Sequence, residues 1–163
     1  MLPYTIPAAT HIGHIHLKVS DLEKALVFYR DILGFRVMQH FGNSAVFLSA
    51  GGYHHHIGLN TWYSKNASPA EINQCGLFHT AIVYPTRKDL AVALTRLIDS
   101  KYPLTGASDH GVSQALYLDD PDGNGVELYW DRPRDQWPVD EKGNLEMHTL
   151  PLDLDELLKE IKN

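Results

Sequence analysis

Apolar and polar positions along the chain fall into two copies of one pattern, over residues 11–63 and 77–131. Each copy opens on a short alternating run, Gly13 to Val19 and Phe78 to Tyr84, with a histidine near its start, His14 and His79. Side chains alternate across a strand, so Ile15, Leu17 and Val19 share one face, which a helix should cover; Ile12, His14, His16 and Lys18 share the other. A helical stripe follows in each copy: Leu22, Leu26, Tyr29 and Leu33, then Leu90, Leu94, Leu97 and Ile98. The first helix is expected to start in a capping box of Ser20 with Glu23 and to stop at Gly34. The second starts after Thr86 and fades near Ser100 to Pro103. Short strands come next. Ala45 to Leu48 corresponds to Ala115 to Leu118, and His56 to Thr61 to Gly125 to Trp130, with Pro121 to Gly125 a tight turn. Each copy therefore reads β-α-β-β-β. Tyr63 to Gln74 is a polar connector, and residues 132–151 are an irregular tail holding Pro133, Pro138 and Pro151. A last helix begins near Asp153, with Leu154, Leu157, Leu158 and Ile161 as its stripe. The expectation is one α+β domain over residues 1–163. Two paired βαβββ modules form a curved eight-stranded cup, and the C-terminal helix docks on the body or on a second copy.

The 163 residues and 18.4 kDa suit one compact domain or two small fused halves. Apolar residues at 44% and charged residues at 21% exclude a disordered chain. No apolar run is long enough to span a bilayer. The segment MLPYTIPAATHIG has no Lys or Arg and no long apolar core, so no secretory signal is expected. A net charge of −6 and a pI near 5.9 argue against nucleic acid as the main partner. Cys75 is the only cysteine, which excludes an internal disulfide and a thiolate zinc site and suggests a reducing cytoplasm.

Ten histidines are the unusual feature. His14 and His79 project into the cup from equivalent places. Glu127, with Tyr129 on its face and Val126, Leu128 and Trp130 opposite, lies on the last strand of the second copy. Singly, a strand histidine is commonly a hydrogen-bonded, half-buried residue, and a lone glutamate a surface carboxylate. Jointly, two neutral imidazoles and a carboxylate are the facial triad of non-haem iron sites, and a buried carboxylate needs a cation or strong donors. In a regular strand His54 and His56 share a face and His55 takes the other, so the triplet cannot bind one metal together. His11, His40 and His148 read as surface or turn residues.

The segment His110-Gly-Val-Ser-Gln-Ala-Leu-Tyr117-Leu-Asp-Asp-Pro-Asp-Gly123-Asn-Gly-Val-Glu127 ties a histidine, a tyrosine and a carboxylate to fixed spacing. With Gly13 to Leu22, it resembles the vicinal oxygen chelate superfamily, and within it the extradiol ring-cleaving dioxygenases of the catechol 2,3-dioxygenase type. The resemblance runs to about residue 138. It implies a divalent metal, Fe(II) first with Mn(II) or Zn(II) as alternatives, held by His14, His79 and Glu127. It implies His110 as a hydrogen-bond donor to the substrate, Tyr117 as an active-site hydroxyl, and an acid–base histidine before the fourth strand. Alignment selects His55 for that role, while strict strand alternation favours His54 or His56; a late strand start would reconcile them. The implied reaction takes a catechol-type aromatic and dioxygen. Apart from the resemblance, the exposed sheet edges of paired modules suggest a homodimer, and the charge, cysteine and hydropathy readings suggest a cytoplasmic chain with no membrane or nucleic-acid partner. Ser108 departs from the family pattern, and two modules stand where many extradiol enzymes have four. Two relatives of the same fold compete. One is a glyoxalase-type isomerase, which needs a further ligand near Gly58. The other is a non-enzymatic antibiotic-binding protein such as those sequestering bleomycin, for which Trp62, Tyr63 and Trp130 would serve.

Overall fold

The computed structural model describes residues 4–162, so Met1–Pro3 of the N-terminal segment lie outside the described residues. Strand β1 (Ile15–Lys18) leads into α1 (Leu22–Leu26), which widens without a break into a π-helical stretch, Val27–Ile32. Strands β2 (Arg36–Phe41), β3 (Ala45–Ser49) and β4 (Ile57–Asn60) complete the first module. The second repeats it with β5 (His79–Val83), α2 (Arg87–Asp99), β6 (Gly106–Asp109), β7 (Ser113–Asp119) and β8 (Gly125–Asp131). The sheets have the orders β1-β4-β3-β2 and β5-β8-β7-β6-β9, with β1 parallel to β4 and β5 parallel to β8. The extra strand β9 (Leu150–Pro151) comes from the tail and pairs with β6, so the described strands number nine rather than the expected eight. The tail is less irregular than its prolines suggest, since it also carries a short 3-10 turn, Arg134–Gln136.

The first helix is capped one residue later than the sequence suggests. Asp21, not Ser20, accepts from the Glu23 and Lys24 amides. The Ser20 amide instead donates to Asp122 across the modules at 3.0 Å. In the π-helical stretch the Leu33 amide donates to the Phe28 carbonyl. Consecutive Phe28 and Tyr29 are both buried there. Gly34, at φ 87°, ends it. In α2, Leu90, Leu94 and Leu97 are buried, whereas Ile98 is exposed and leaves the expected stripe.

Both modules feed one core. Val19, Leu26, Leu48 and Leu59 join Leu94, Leu116, Leu128 and Leu157 in it. Leu157 belongs to α3 (Leu154–Leu158), which packs on α2, so the C-terminal helix docks on the body of its own chain. Asp120 ties the halves together. It is buried, it accepts from the Tyr29 hydroxyl at 3.0 Å, and it also accepts from the Asp122 and Asn124 amides. Burial, reinforced by this carboxylate, pushes the Tyr29 phenol far above its usual value. The opposite faces of the sheets stay open: His16 and Lys18 are exposed while Leu17 is buried, and Ala81 and Val83 are exposed on β5. Among the described residues, no strand of one sheet pairs with a strand of the other.

Candidate active site

Glu127 lies mid-strand on β8, flanked by Ala81 of β5 and Tyr117 of β7. Two residues earlier, Gly125 pairs with His79. A Cβ at Gly125 would stand 2.2 Å from the Phe78 carbonyl oxygen and 3.1 Å from the His79 Cβ. Glycine is therefore what lets β5 approach closely enough for His79 Nε2 to reach Glu127 Oε2 at 3.0 Å. On the other side of Glu127, the Tyr117 hydroxyl donates to Oε1 at 3.1 Å. His110 Nε2 meets the same hydroxyl at 2.7 Å. His79, Glu127, Tyr117 and His110 thus form one continuous chain of polar contacts. Burial, then the Glu127 charge and its hydrogen bond, push the Tyr117 phenol up to about 12.

His110 follows β6, and its amide closes onto the Ser113 carbonyl at 2.9 Å. Next to it, Asp109 pairs with Arg132 and accepts from Gln114 and the Gly111 amide. Burial alone would raise the Asp109 carboxyl, but these bonds and the Arg132 charge hold it below the usual range. The polar chain opens into a cavity of about 800 Å³ bordered by His79, His110, Tyr117 and Thr149, with Ile72 of the connector and Phe78 just before β5 supplying apolar wall. Such a space suits a small aromatic molecule with a polar edge.

A second histidine cluster lies on the open face of the first sheet. The His14 and His55 rings are 4.4 Å apart, and Phe47 packs on His55 at 4.9 Å. Because β4 begins at Ile57, the triplet precedes the strand and alternation does not govern it. His55 turns toward His14, whereas His56 Nδ1 contacts Ser49 Oγ at 3.1 Å. His54 Nδ1 meets His55 Nδ1 at 2.8 Å. Burial, then the neighbouring His14, lower the basicity of His55, and the same two causes act on His16.

A divalent cation in a facial site takes three protein donors at one point. His79 and Glu127 supply two of suitable chemistry. Among the described residues no three His, Cys, Asp or Glu side chains are gathered for a metal, so His14 is not brought to this pair. The residues of the chain as described fit two-thirds of the expected donor set and not the whole. Sequence reasoning also missed Thr149 and the His148 carbonyl, which contact His110 at 3.3 and 3.0 Å. No local signal marks them, because the tail reaches the site only through its pairing with β6.

The register also bears on the isomerase alternative. His16 pairs with Gly58 as Ala81 pairs with Glu127, so Gly58 is the counterpart of Glu127. A Cβ at Gly58 would stand 2.9 Å from the His16 ring, so that ring fills the place of a fourth protein ligand.

Residues 11–128 match the Glyoxalase/Bleomycin resistance protein/Dioxygenase superfamily. The chain is 44% identical over 151 residues to "Catechol-2,3-dioxygenase" of Bacillus subtilis (strain 168), covering 93% of this chain and 52% of that protein. It is 33% identical to "Biphenyl-2,3-diol 1,2-dioxygenase 3" of Rhodococcus globerulus, covering 74% of this chain and 63% of that one. The chain thus spans about half the length of the Bacillus protein and under two thirds of the Rhodococcus one. Two solved structures share the fold at low identity. A glyoxalase/dioxygenase from Nostoc punctiforme has a TM-score of 0.64 at 17% identity, covering 82% of this chain and all of that one. Lactoylglutathione lyase from Agrobacterium tumefaciens has a TM-score of 0.59 at 22% identity, covering 76% and 96%. Repeated βαβββ modules, a His–Glu pair at the mouth of the second and a family match across both place this chain in the glyoxalase/bleomycin resistance protein/dioxygenase superfamily.

Proposed function

We propose that the chain supplies the ring-cleaving site of an extradiol dioxygenase acting on a catechol-type aromatic. The observation that carries this reading is the unbroken His79–Glu127–Tyr117–His110 contact chain facing a cavity with an apolar wall. The 44% identity to a catechol dioxygenase supports the same substrate class. In the reaction a ring carbon–carbon bond beside the two hydroxyls breaks, both atoms of dioxygen enter the product, and a yellow semialdehyde results.

The residues divide the work by their chemistry. Ile72 and Phe78, exposed at the edge of the cavity, offer the ring an apolar contact surface. The Tyr117 hydroxyl stays protonated across the working pH range, so it donates to negative charge developing on a substrate oxygen, and does so best in a site sheltered from water. His110 faces that hydroxyl through Nε2 at 2.7 Å. His55 is the proposed acid–base histidine, as an imidazole titrates near neutrality. The proposed cofactor is a divalent metal, Fe(II) before Mn(II) or Zn(II), with His79, Glu127 and His14 as its ligands. The His14 assignment requires the open faces of the two sheets to come together, and a homodimer in the cytoplasm is the proposed setting.

The test mixes protein loaded anaerobically with Fe(II) with aerated catechol or 3-methylcatechol. Oxygen uptake with a yellow product is expected; neither one across a panel of catechols would sink the reading. Metal analysis separates the ligand question from activity. His14→Ala is expected to lose stoichiometric binding, and its retention removes His14 from the ligand set.

A further inference from the structure

His110 is gripped from two sides. Its Nε2 faces the Tyr117 hydroxyl at 2.7 Å, and its Nδ1 faces the main-chain carbonyl of His148 at 3.0 Å and the Thr149 hydroxyl at 3.3 Å. A carbonyl oxygen only accepts, so its contact with Nδ1 places a proton on that nitrogen. A neutral imidazole carries one N–H, which leaves Nε2 bare and facing Tyr117 as an acceptor.

The grip is built into the backbone. The His148 amide donates to the His110 carbonyl at 3.3 Å, so the two main chains are clipped together. Just beyond, Leu150 and Pro151 pair with Asp109 and Ser108 as β9 on β6. The buried Leu157 anchors the following helix. A Cβ at Gly111 would stand 2.6 Å from the His148 ring, so glycine at the turn leaves the tail room to lie there.

The single proton of Tyr117 has two acceptors, Nε2 at 2.7 Å and Glu127 Oε1 at 3.1 Å. One proton cannot serve both. With Nδ1 committed to the tail, His110 donates through Nε2 only as the imidazolium.

We propose that His148 and Thr149 are positioning residues that lock His110 in its Nδ1–H tautomer. Nε2 is then held as the acceptor that takes a proton from a substrate hydroxyl and donates it back later. In that step the O–H bond breaks, an Nε2–H bond forms, and the negative charge stays on the oxygen. The donor role that family resemblance implies for His110 thus follows proton uptake rather than preceding it. The catalytic consequence rests on the ring-cleavage reading; the tautomer rests on the contacts alone.

The experiment is long-range nitrogen–proton NMR of isotopically labelled full-length protein at pH about 9, where imidazoles are neutral. His110→Asn identifies the signal. The expected result is a proton on Nδ1 in the wild type. His148→Pro removes the amide that clips the tail to His110 and is expected to shift the signal toward the tautomer mixture of a free imidazole. It is also expected to lower kcat while leaving KM near wild type. A wild-type proton on Nε2, or an undiminished Nδ1–H form in folded His148→Pro, overturns the proposal. If His148→Pro does not fold, the wild-type spectrum still decides. Absence of ring cleavage with an Nδ1–H signal would defeat the functional reading and leave the tautomer assignment standing.

Discussion

Replacing Tyr117 with Phe removes one oxygen from the middle of the polar chain. That oxygen lies 2.7 Å from His110 Nε2 and 3.1 Å from Glu127 Oε1. A neutral hydrogen bond contributes about 1 kcal/mol net, and one to an ionised group about 1.5–3 kcal/mol. His110 borders the cavity, where water takes over its lost contact, and Glu127 keeps its contact with His79, so the lower end applies and stability falls by about 1 kcal/mol. With a urea slope of about 2 kcal/mol per molar, the midpoint drops by about half a molar. The effect on catalysis is larger, because a donor aimed at developing charge acts chiefly in the transition state. Removing one such donor lowers kcat by about 10²–10³-fold. Oxygen uptake on catechol measures the rate, and urea unfolding followed by tryptophan fluorescence measures the fold. A folded Y117F protein with wild-type kcat refutes the place of Tyr117 in the chemistry. A midpoint lowered by several molar would instead make the hydroxyl a structural element.

Three further outcomes are expected. Leu157→Ala empties a fully buried position in α3 and costs about 2–5 kcal/mol, read from urea unfolding; unchanged stability would mean that the helix does not hold the core. Burial, aided by nearby carboxylates, raises Tyr102 and Tyr117 to about 12 from 10.0, and Tyr29 further. Between those pH values the folded chain holds more protons than the unfolded one, so stability is full below pH about 10 and falls as pH rises toward 12. Urea midpoints that stay flat through that range would contradict these burial effects. Gly58→Ala forces the His16 ring to move, since the added Cβ stands 2.9 Å from it, and costs about 1–3 kcal/mol; a neutral result in the same assay would show that the ring is free to swing away.

The repeat was legible because each module writes its period plainly. Leu17 and Val19 alternate with His16 and Lys18, and Leu90, Leu94 and Leu97 recur at helical spacing, so burial on one face follows from local order. His79 and Glu127 were legible as partners because each holds a defined place on a parallel strand pair. The Asp21 cap was misread by one residue, since Ser20 offers its amide to Asp122 from the other module, a contact no local motif encodes. The ninth strand was hidden for a related reason. Leu150 and Pro151 are too few to carry a period, and they become a strand only where β6 presents a free edge. That same edge brings His148, which reads as a surface residue, onto Nδ1 of His110. The sequence by itself determined the two βαβββ modules and the chemical kinds of donor at their mouths. Tertiary structure alone decided which donors meet, because a contact between His110, Tyr117 and a tail nearly forty residues away depends on edge pairing and shared burial, and spacing along the chain carries no information about either.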